Sequence, residues 1–332
     1  MDIRRLDLEE WAEHLPETGF EPFHLPAALS VLADHTRGEL RLLGGFRGEQ
    51  AVGLFAAFVR SMAAGRTVYT PPPGKGIPHL GPLLMPTSPK QSKRGRVNRE
   101  FVAGALDELD ARDRLTVTRI MTSPGYTDPR PFEWCSLTVR PFFTYRVDAT
   151  DLAETKTGFS QSLRREIRDA RDAGVTVERE AGDSAATVYE DTRSRFEAQG
   201  EPFELTRSFV DDLVDALGDR ARTFVARDPS GAYLGGILAL YSNDAAYFWL
   251  GGARATYEGS SVNGLVHWRL LQDLAADPPA EGATQYDLVG ANTERLCRYK
   301  SKFGGRLVPY YIVESEGLLT PLAKTVYRFT NR

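Results

Sequence analysis

The sequence predicts an α/β protein built as two domains of similar pattern. Three observations carry that reading. The chain has 332 residues, about two domains at roughly 150 residues each. Helix-like and strand-like segments alternate along its length. Two hairpin signatures and the strands after them recur at an offset of roughly 170–185 residues, about one domain's length. Residue identity between the halves is negligible, so only the pattern repeats. The expected boundary lies near Asp148–Ala153, giving domains 1–150 and 151–332.

In the first half, Leu8–Leu15 and Leu25–Asp34 read as helices. Glu39–Phe46 and Ala51–Arg60 are apolar runs joined by Arg47-Gly48-Glu49-Gln50, the pattern of a hairpin. Pro71-Pro72-Pro73-Gly74-Lys75-Gly76 is a turn region, and Lys90–Arg99 a polar, basic loop. Glu100–Arg112 is helical, and Leu115–Met121 and Ser136–Val147 are strands.

The second half opens with a helix that Ser160 or Ser162 caps and Gly174 stops, with Leu163, Ile167 and Ala170 on one face. Helices follow at Asp183–Gln199 and Thr206–Leu217. The second hairpin joins Ala221–Ala226 to Tyr233–Tyr241. Ala245–Gly251 is a strand, Ser260–Ala276 a helix, and Gln285–Val289 a buried strand. A helix capped by Asn292 runs to Phe303, a strand covers Leu307–Val313, and a last helix covers Leu318–Phe329.

Composition narrows the function. Hydrophobic residues are 42% and charged residues 26% of the chain, ordinary for a soluble globular protein. The net charge of −4, from 45 acidic and 41 basic residues, disfavours sequence-independent duplex-DNA binding. Two distant cysteines, Cys135 and Cys297, and five scattered histidines make neither a disulfide framework nor a zinc site, so no metal is expected. No apolar run has signal-peptide or membrane-span length, and the expected location is the cytoplasm.

Several chemistries have no motif here. Gly74-Lys75-Gly76 lacks the upstream glycine and the hydroxyl residue of a phosphate loop. There is no G-x-G-x-x-G after a strand, no nucleophile elbow and no H-E-x-x-H. His267 sits beside Trp268 in an apolar helix and reads as a packing residue.

Three constellations remain. In the first, Asp287 lies in an apolar strand, where it is costly to bury without a partner. Gly290 ends that strand, Asn292 follows, and Lys300 and Lys302 close the next helix. The two lysines read either as helix-dipole complements on a wet surface or as site residues. The second is the stripe Arg164, Arg168, Arg171, with Arg165 beside it. It is a salt-bridged solvated face, through Arg165–Asp169 and Arg168–Asp172, or an anion site. The third joins the aromatic strand around Tyr247 to Ser260-Ser261 at the next helix's start, where free N–H groups attract anions.

These segments resemble the FemAB-like branch of the GNAT superfamily over nearly the whole chain. The resemblance rests on Gly81-Pro82, Ser123-Pro124, Asp128-x-Arg130-x-Phe132-x-Trp134 and Thr144-Tyr145 in the first half. In the second it rests on Ser162-x-x-Arg165-x-Ile167 running to Gly174-Val175. The most specific motif runs from Asp287 through Gly290 to Tyr299-Lys300-x-x-Phe303-Gly304-Gly305. The resemblance implies tandem GNAT-like domains, each a mixed, mostly antiparallel sheet flanked by helices. It implies an acyltransferase that moves an acyl or aminoacyl group from acyl-CoA or aminoacyl-tRNA to an amine. The acceptor would be a small molecule or a peptide, and a charged tRNA is an implied partner.

The same resemblance places the family's lysine on Lys300, where it neutralises a phosphate or the developing oxyanion, and its arginines on Arg164 and Arg165 as anion contacts. The other site residues are read from the constellations: Asp287 as a base or as the partner that orients Lys300, Tyr247 or Tyr299 as the group that protonates the leaving group, and Arg168, Ser260, Ser261 and Asn292 as further anion contacts. By analogy the backbone N–H of Leu250 or Gly251 faces the oxyanion. The pyrophosphate loop typical of GNAT enzymes falls on Arg254 to Ser261, where Arg254 and Gly259 fit but Tyr257 replaces the first glycine. A non-catalytic binding module that keeps the fold is the rival expectation, and it would leave the Lys300 ammonium in bulk water.

Overall fold

The computed structural model describes residues 1–63, 65–85, 88–252 and 255–315. The expected helix at Leu318–Phe329 lies outside them. The chain forms two compact units. One holds residues 1–142 with the described residues from 309 onward, and the other holds residues 143–308.

The first unit runs β1 (Asp2–Leu6), α1 (Leu8–His14), α2 (Pro26–Asp34), β2 (Glu39–Arg47), β3 (Gln50–Met62), β4 (Gly65–Thr70), β5 (Leu83–Leu84), α3 (Gln91–Glu108), β6 (Thr116–Met121) and α4 (Arg130–Trp134). Strand β7 (Leu137–Asp148) leads into the second unit. That unit continues with α5 (Leu152–Gly158), α6 (Gln161–Asp172), β8 (Thr176–Glu180), α7 (Ser184–Ala198), α8 (Arg207–Leu217), β9 (Ala221–Arg227), β10 (Tyr233–Tyr241) and β11 (Ala245–Gly251). Then follow β12 (Thr256–Tyr257), β13 (Ser260–Ser261), α9 (Asn263–Ala276), β14 (Gln285–Asp287) and α10 (Glu294–Lys300). Strand β15 (Arg306–Ser315) returns to the first unit.

Within the first unit the strand order is β1-β2-β3-β4-β6-β15, and only β4 and β6 are parallel. Within the second it is β7-β14-β11-β10-β9-β8, and only β11 and β14 are parallel. A parallel pair needs a crossover, and a helix supplies it in each unit: α3 in the first, α9 in the second. Each unit is thus a mixed, mostly antiparallel sheet carrying helices, the tandem α/β architecture the sequence predicts.

Local chemistry explains the elements. Asp7 and Glu10 form a capping box on α1, with the Asp7 carboxylate accepting from Glu9 N and Glu10 N. Ser160 caps α6 by accepting from Leu163 N at 3.2 Å, and Gly174, in the left-handed region at φ 86°, stops it. Leu163, Ile167 and Ala170 bury the helix's apolar face; covering the two large ones stabilises by ~1.5–3 kcal/mol each. Gly264 lets α9 approach that face, since a Cβ there would lie 2.7 Å from Leu163 Cδ1. The two cores are separate in residue makeup. Phe55, Phe101, Leu106, Ile120 and Phe132 anchor the first. Leu163, Phe224, Tyr241, Leu270 and Phe303 anchor the second.

Three expectations change. Lys90–Arg99 is not a loop: from Gln91 onward it is the first half of α3, whose Val97, Phe101, Val102 and Ala105 are buried. The basic residues occupy that helix's wet side. Ser260 and Ser261 do not open a helix. They form β13, paired with β12 across Glu258 and Gly259, both left-handed at φ 48° and 83°. Helix α9 begins at Asn263. Asn292 caps nothing: Thr293 caps α10 by accepting from Leu296 N at 3.3 Å.

Candidate functional site

The site grows from the place where β11 and β14 part. They pair in parallel at Ala245↔Gln285, Ala246↔Tyr286 and Tyr247↔Asp287, and no further. Strand β11 continues through Phe248–Gly251, with a bulge at Trp249 where the register against β10 shifts. Beyond Asp287 the chain turns away through Val289 and Gly290, both left-handed at φ 52° and 73°. A β-branched residue in that region costs of order 1–3 kcal/mol, so something must hold it.

Two charged side chains hold the turn. The Asp287 carboxylate accepts from Val289 N at 2.8 Å. From the other side the Lys300 ammonium donates to Val289 O at 2.5 Å and Gly290 O at 2.6 Å. Lys300 ends α10, is 5% exposed, and lies 6.0 Å from the Phe248 ring centroid on β11. The ammonium therefore bridges the gap between the parting strands. Burial lowers its pKa from 10.5 to about 8, against the opposing pull of Asp287. An ammonium has three protons, and these two carbonyls take two.

Asp287 is fully buried and fully engaged. Thr144 Oγ1 donates to it at 2.5 Å and Arg146 Nε at 3.0 Å. Register explains the meeting, because Asp287 pairs with Arg146 on β7 and with Tyr247 on β11. Arg146 Nη2 in turn donates to the buried Tyr247 hydroxyl at 3.4 Å. Arg146 escaped the reading of the sequence. Its signal was alternation: Thr144 and Arg146 share one face of a strand, two residues apart.

Tyr299 precedes Lys300. Its hydroxyl accepts from Asn263 Nδ2, at the start of α9, and burial raises its pKa. His267 is fully buried among Phe248, Tyr299 and Phe303. Its Nδ1 meets Tyr286 Oη at 2.7 Å, while Nε2 has no partner among the described residues. Burial, with a smaller push from Lys300, lowers its pKa to about 3, so it stays neutral.

The arginines lie elsewhere. Arg164, Arg165 and Arg168 line a hollow of about 450 Å³ with Gln161 and Ser162, and Lys300 is not part of its lining. Arg164 donates to Thr157 O at 3.3 Å. Arg168 pairs with Asp169, one residue along, rather than with Asp172. Arg165 has no ion-pair partner among the described residues. Asn292 is turned to structure: its Oδ1 accepts from Phe143 N at 2.7 Å and its Nδ2 donates to Phe143 O at 3.2 Å. Arg254 lies outside the described residues. Asp287, Tyr247 and Lys300 are thus brought together around the Val289-Gly290 turn with Asn292 beside it, the Tyr299 hydroxyl is turned to Asn263, and the arginines lie on α6. Among the described residues no group of His, Cys, Asp or Glu could hold a metal ion. No helix among them is long and apolar enough to cross a membrane.

Comparison with known proteins addresses the fold. Residues 158–301 match the family model described as an acetyltransferase (GNAT) domain. The crystal structure of FemX superposes with a TM-score of 0.70 at 14% identity, covering 98% of this chain and 100% of that one. The C-terminal domain of a putative lysylphosphatidylglycerol synthetase from Agrobacterium fabrum gives 0.52 at 13% identity, over 87% of this chain and 88% of that one. An L-PGS structure from Bacillus licheniformis gives 0.51 at 14% identity, over 92% and 97%. No curated protein matches the sequence significantly. Residues 158–301 therefore match the acetyltransferase (GNAT) domain model, and the chain shares the fold of FemX over nearly its whole length.

Proposed function

We propose that this protein is an acyltransferase that moves an acyl or aminoacyl group from an activated donor, acyl-CoA or aminoacyl-tRNA, to an amine. The supporting observation is the buried Lys300 ammonium lying across the gap between β11 and the Val289-Gly290 turn. A side chain kept only for solubility would sit in bulk water, and this one is 5% exposed. That placement weighs against the rival reading of a non-catalytic binding module.

In this reading the neutral acceptor amine attacks the donor carbonyl. A C–N bond forms, and the C–S bond of a thioester or the C–O bond of an aminoacyl ester breaks. The amine gives up a proton, and the leaving thiolate or alkoxide takes one. The oxyanion forms beside β11 beyond Tyr247, where Leu250 and Gly251 offer backbone N–H groups. The third Lys300 proton adds charge there; one such donor is worth ~3 kcal/mol in the transition state. Tyr299 or Tyr247 protonates the leaving group, a step worth ~10²–10⁴-fold. Asp287, held by Arg146 and Thr144, keeps the turn and hence Lys300 in place. The arginine hollow on α6, with Ser260, Ser261 and Asn292 as lesser contacts, takes anionic parts of a substrate. In this reading the chemistry belongs to the second unit, residues 143–308, and the first unit is a second copy of the fold. The acceptor is a small molecule or a peptide amine, and the protein works in the cytoplasm.

Calorimetric titration with acetyl-CoA and CoA, with and without Lys300→Ala, tests the donor. Saturable micromolar binding makes acyl-CoA the donor. Absence of binding at millimolar CoA, together with amino-acid transfer from charged tRNA, makes it aminoacyl-tRNA. Neither binding nor transfer overturns the reading.

A further inference from the structure

The first unit has its own parting of strands, and a hollow lies there. Strands β4 and β6 pair in parallel up to Thr70↔Ile120; β4 then leaves the sheet, while β6 stays paired to β15 through Met121↔Ile312. Strand β5 then joins β3 at Leu54 and Gly53, beyond the stretch that β4 covers. Between β5, the loop at 123–128 and the first turns of α3 lies a hollow of about 350 Å³. Pro82, Leu83, Leu84 and Val97 give it an apolar wall.

Its polar groups are arranged to receive something. Ser123, 1% exposed, lines the hollow with its Oγ as a hydrogen-bonding group. A Cβ on Gly125, at the same wall, would lie 3.6 Å from that Oγ. A serine hydroxyl there can donate to an acceptor atom of a ligand. Asn98, by contrast, is locked: Tyr126 Oη donates to it at 2.7 Å and it donates to Asp128 O at 2.8 Å. The charges in the lining are unequal. Asp128 is neutralised by Arg130 at 2.8 and 2.9 Å. Arg94 donates to the neutral Gln91, at 2.8 and 3.2 Å, and has no carboxylate partner among the described residues.

We propose that this hollow binds a small organic anion. Its apolar body packs on Leu83, Leu84 and Val97, an acceptor meets Ser123 Oγ, and its phosphate or carboxylate meets Arg94. The site stands apart from the transferase reading, since none of its residues belongs to the second unit.

The test is a fluorescence titration of the full chain with anilinonaphthalene sulfonate, an aromatic body with one anionic group. Phenyl phosphate and benzoate then compete, and the stronger competitor identifies the anion. Gly95 lies in the lining on α3, and a Cβ there meets nothing within 4 Å, so Gly95→Phe fills the space without disturbing the helix. One saturable site is expected, weakened about tenfold or more by Gly95→Phe and by the exposed Arg94→Glu. Ser123→Ala weakens it several-fold, and Lys300→Ala leaves it unchanged. Absence of saturable binding, or binding indifferent to both Gly95→Phe and Arg94→Glu, overturns the proposal.

Discussion

The two units build the same junction and furnish it differently. Each has one parallel strand pair, linked by a helix, that separates after a few residues. Where β4 and β6 separate, the buried hydroxyls Thr70, Thr118, Thr122 and Ser123 gather, and the nearby buried carboxylate, Glu314, pairs with the half-buried Arg119 and the exposed Arg140. Where β11 and β14 separate, Asp287, Arg146 and Lys300 bring full charges into the interior. Hydroxyls can be buried at modest cost once paired, whereas charges stay buried only in a closed network. The fold therefore supplies the gap, and the side chains decide whether it is a receptive hollow or a charged site.

The largest expected difference follows from that contrast. Asp287→Ala leaves Arg146, whose side chain is 15% exposed, without its carboxylate, and strips partners from Thr144 and Val289 N. Breaking a buried pair on one side costs about 3–5 kcal/mol. The neutral counterpart in the first unit is Thr70→Val, which deprives Leu80 O of a donor at 2.8 Å and costs ~1–3 kcal/mol. Denaturant melts of both variants give the comparison. Equal losses would mean that charge does not hold the second junction.

Next comes Lys300. Removing it as Lys300→Ala should lower kcat by about 10²–10³, the loss seen when an oxyanion donor is removed. Its pH signature is independent of substrate. The folded pKa is about 8 and the unfolded value 10.5, so between them the unfolded chain binds more protons. Stability from this group therefore rises with pH across that window and is lowest below pH 8. Thermal melts across the window should show the rise in the natural protein and its loss in Lys300→Met. A rise that persists in Lys300→Met would assign it to another group.

How much of this was legible in the sequence depends on distance along the chain. The two hairpins, the cap at Ser160, the stop at Gly174 and the buried face of α6 are local signals, and each is where the pattern placed it. Asp287 and Lys300 stood out because a charge in an apolar strand and a lysine after an aromatic are visible without partners. Arg146 was invisible as a partner, because its meeting with Asp287 is set by strand pairing across 141 residues. Ser260 and Ser261 were misread as a helix start because small polar residues suit both a cap and a hairpin edge. The left-handed Glu258-Gly259 turn decided for the hairpin. Lys90–Arg99 reads like a loop because its charges outnumber its apolar residues, yet Val97 and Asn98 continue the buried face of α3.

A smaller contrast lies in two buried histidines. In the first unit His24 accepts from Glu21 N at 3.0 Å through Nδ1, and its Nε2 faces Gly81 O at 3.0 Å. In the second unit His267 Nδ1 meets Tyr286 Oη, and its Nε2 has no partner among the described residues. Burial lowers His24 to about 4 and His267 to about 3, from 6.5. Below pH 6.5 the unfolded chain protonates first, so stability is present above that pH and is lost as pH falls toward those values. At pH 7, His24→Leu orphans two backbone groups and should cost about 1–3 kcal/mol, with His267→Leu near the lower end. Melts at pH 7 and pH 5 separate the two effects, because either variant should reduce the acid sensitivity. A variant as acid-sensitive as the natural protein would clear that histidine.

The smallest effect on stability, and the one that best separates scaffold from site, concerns the arginine-lined hollow on α6. Arg168 pairs with Asp169 at 3.2 Å with both side chains well exposed, and such a pair contributes at most about 0.5–1 kcal/mol. Arg165→Ala and Arg168→Ala should therefore leave the melting curve almost unmoved. Binding is where they would register. If the hollow takes phosphates of the donor, the double variant should weaken donor affinity, and the loss should shrink as salt is raised. If affinity and its salt dependence are both unchanged, the stripe is a solvated helix face. The anionic end of the substrate must then be sought at the start of α9, where Val262 leaves the first turn without a side-chain cap.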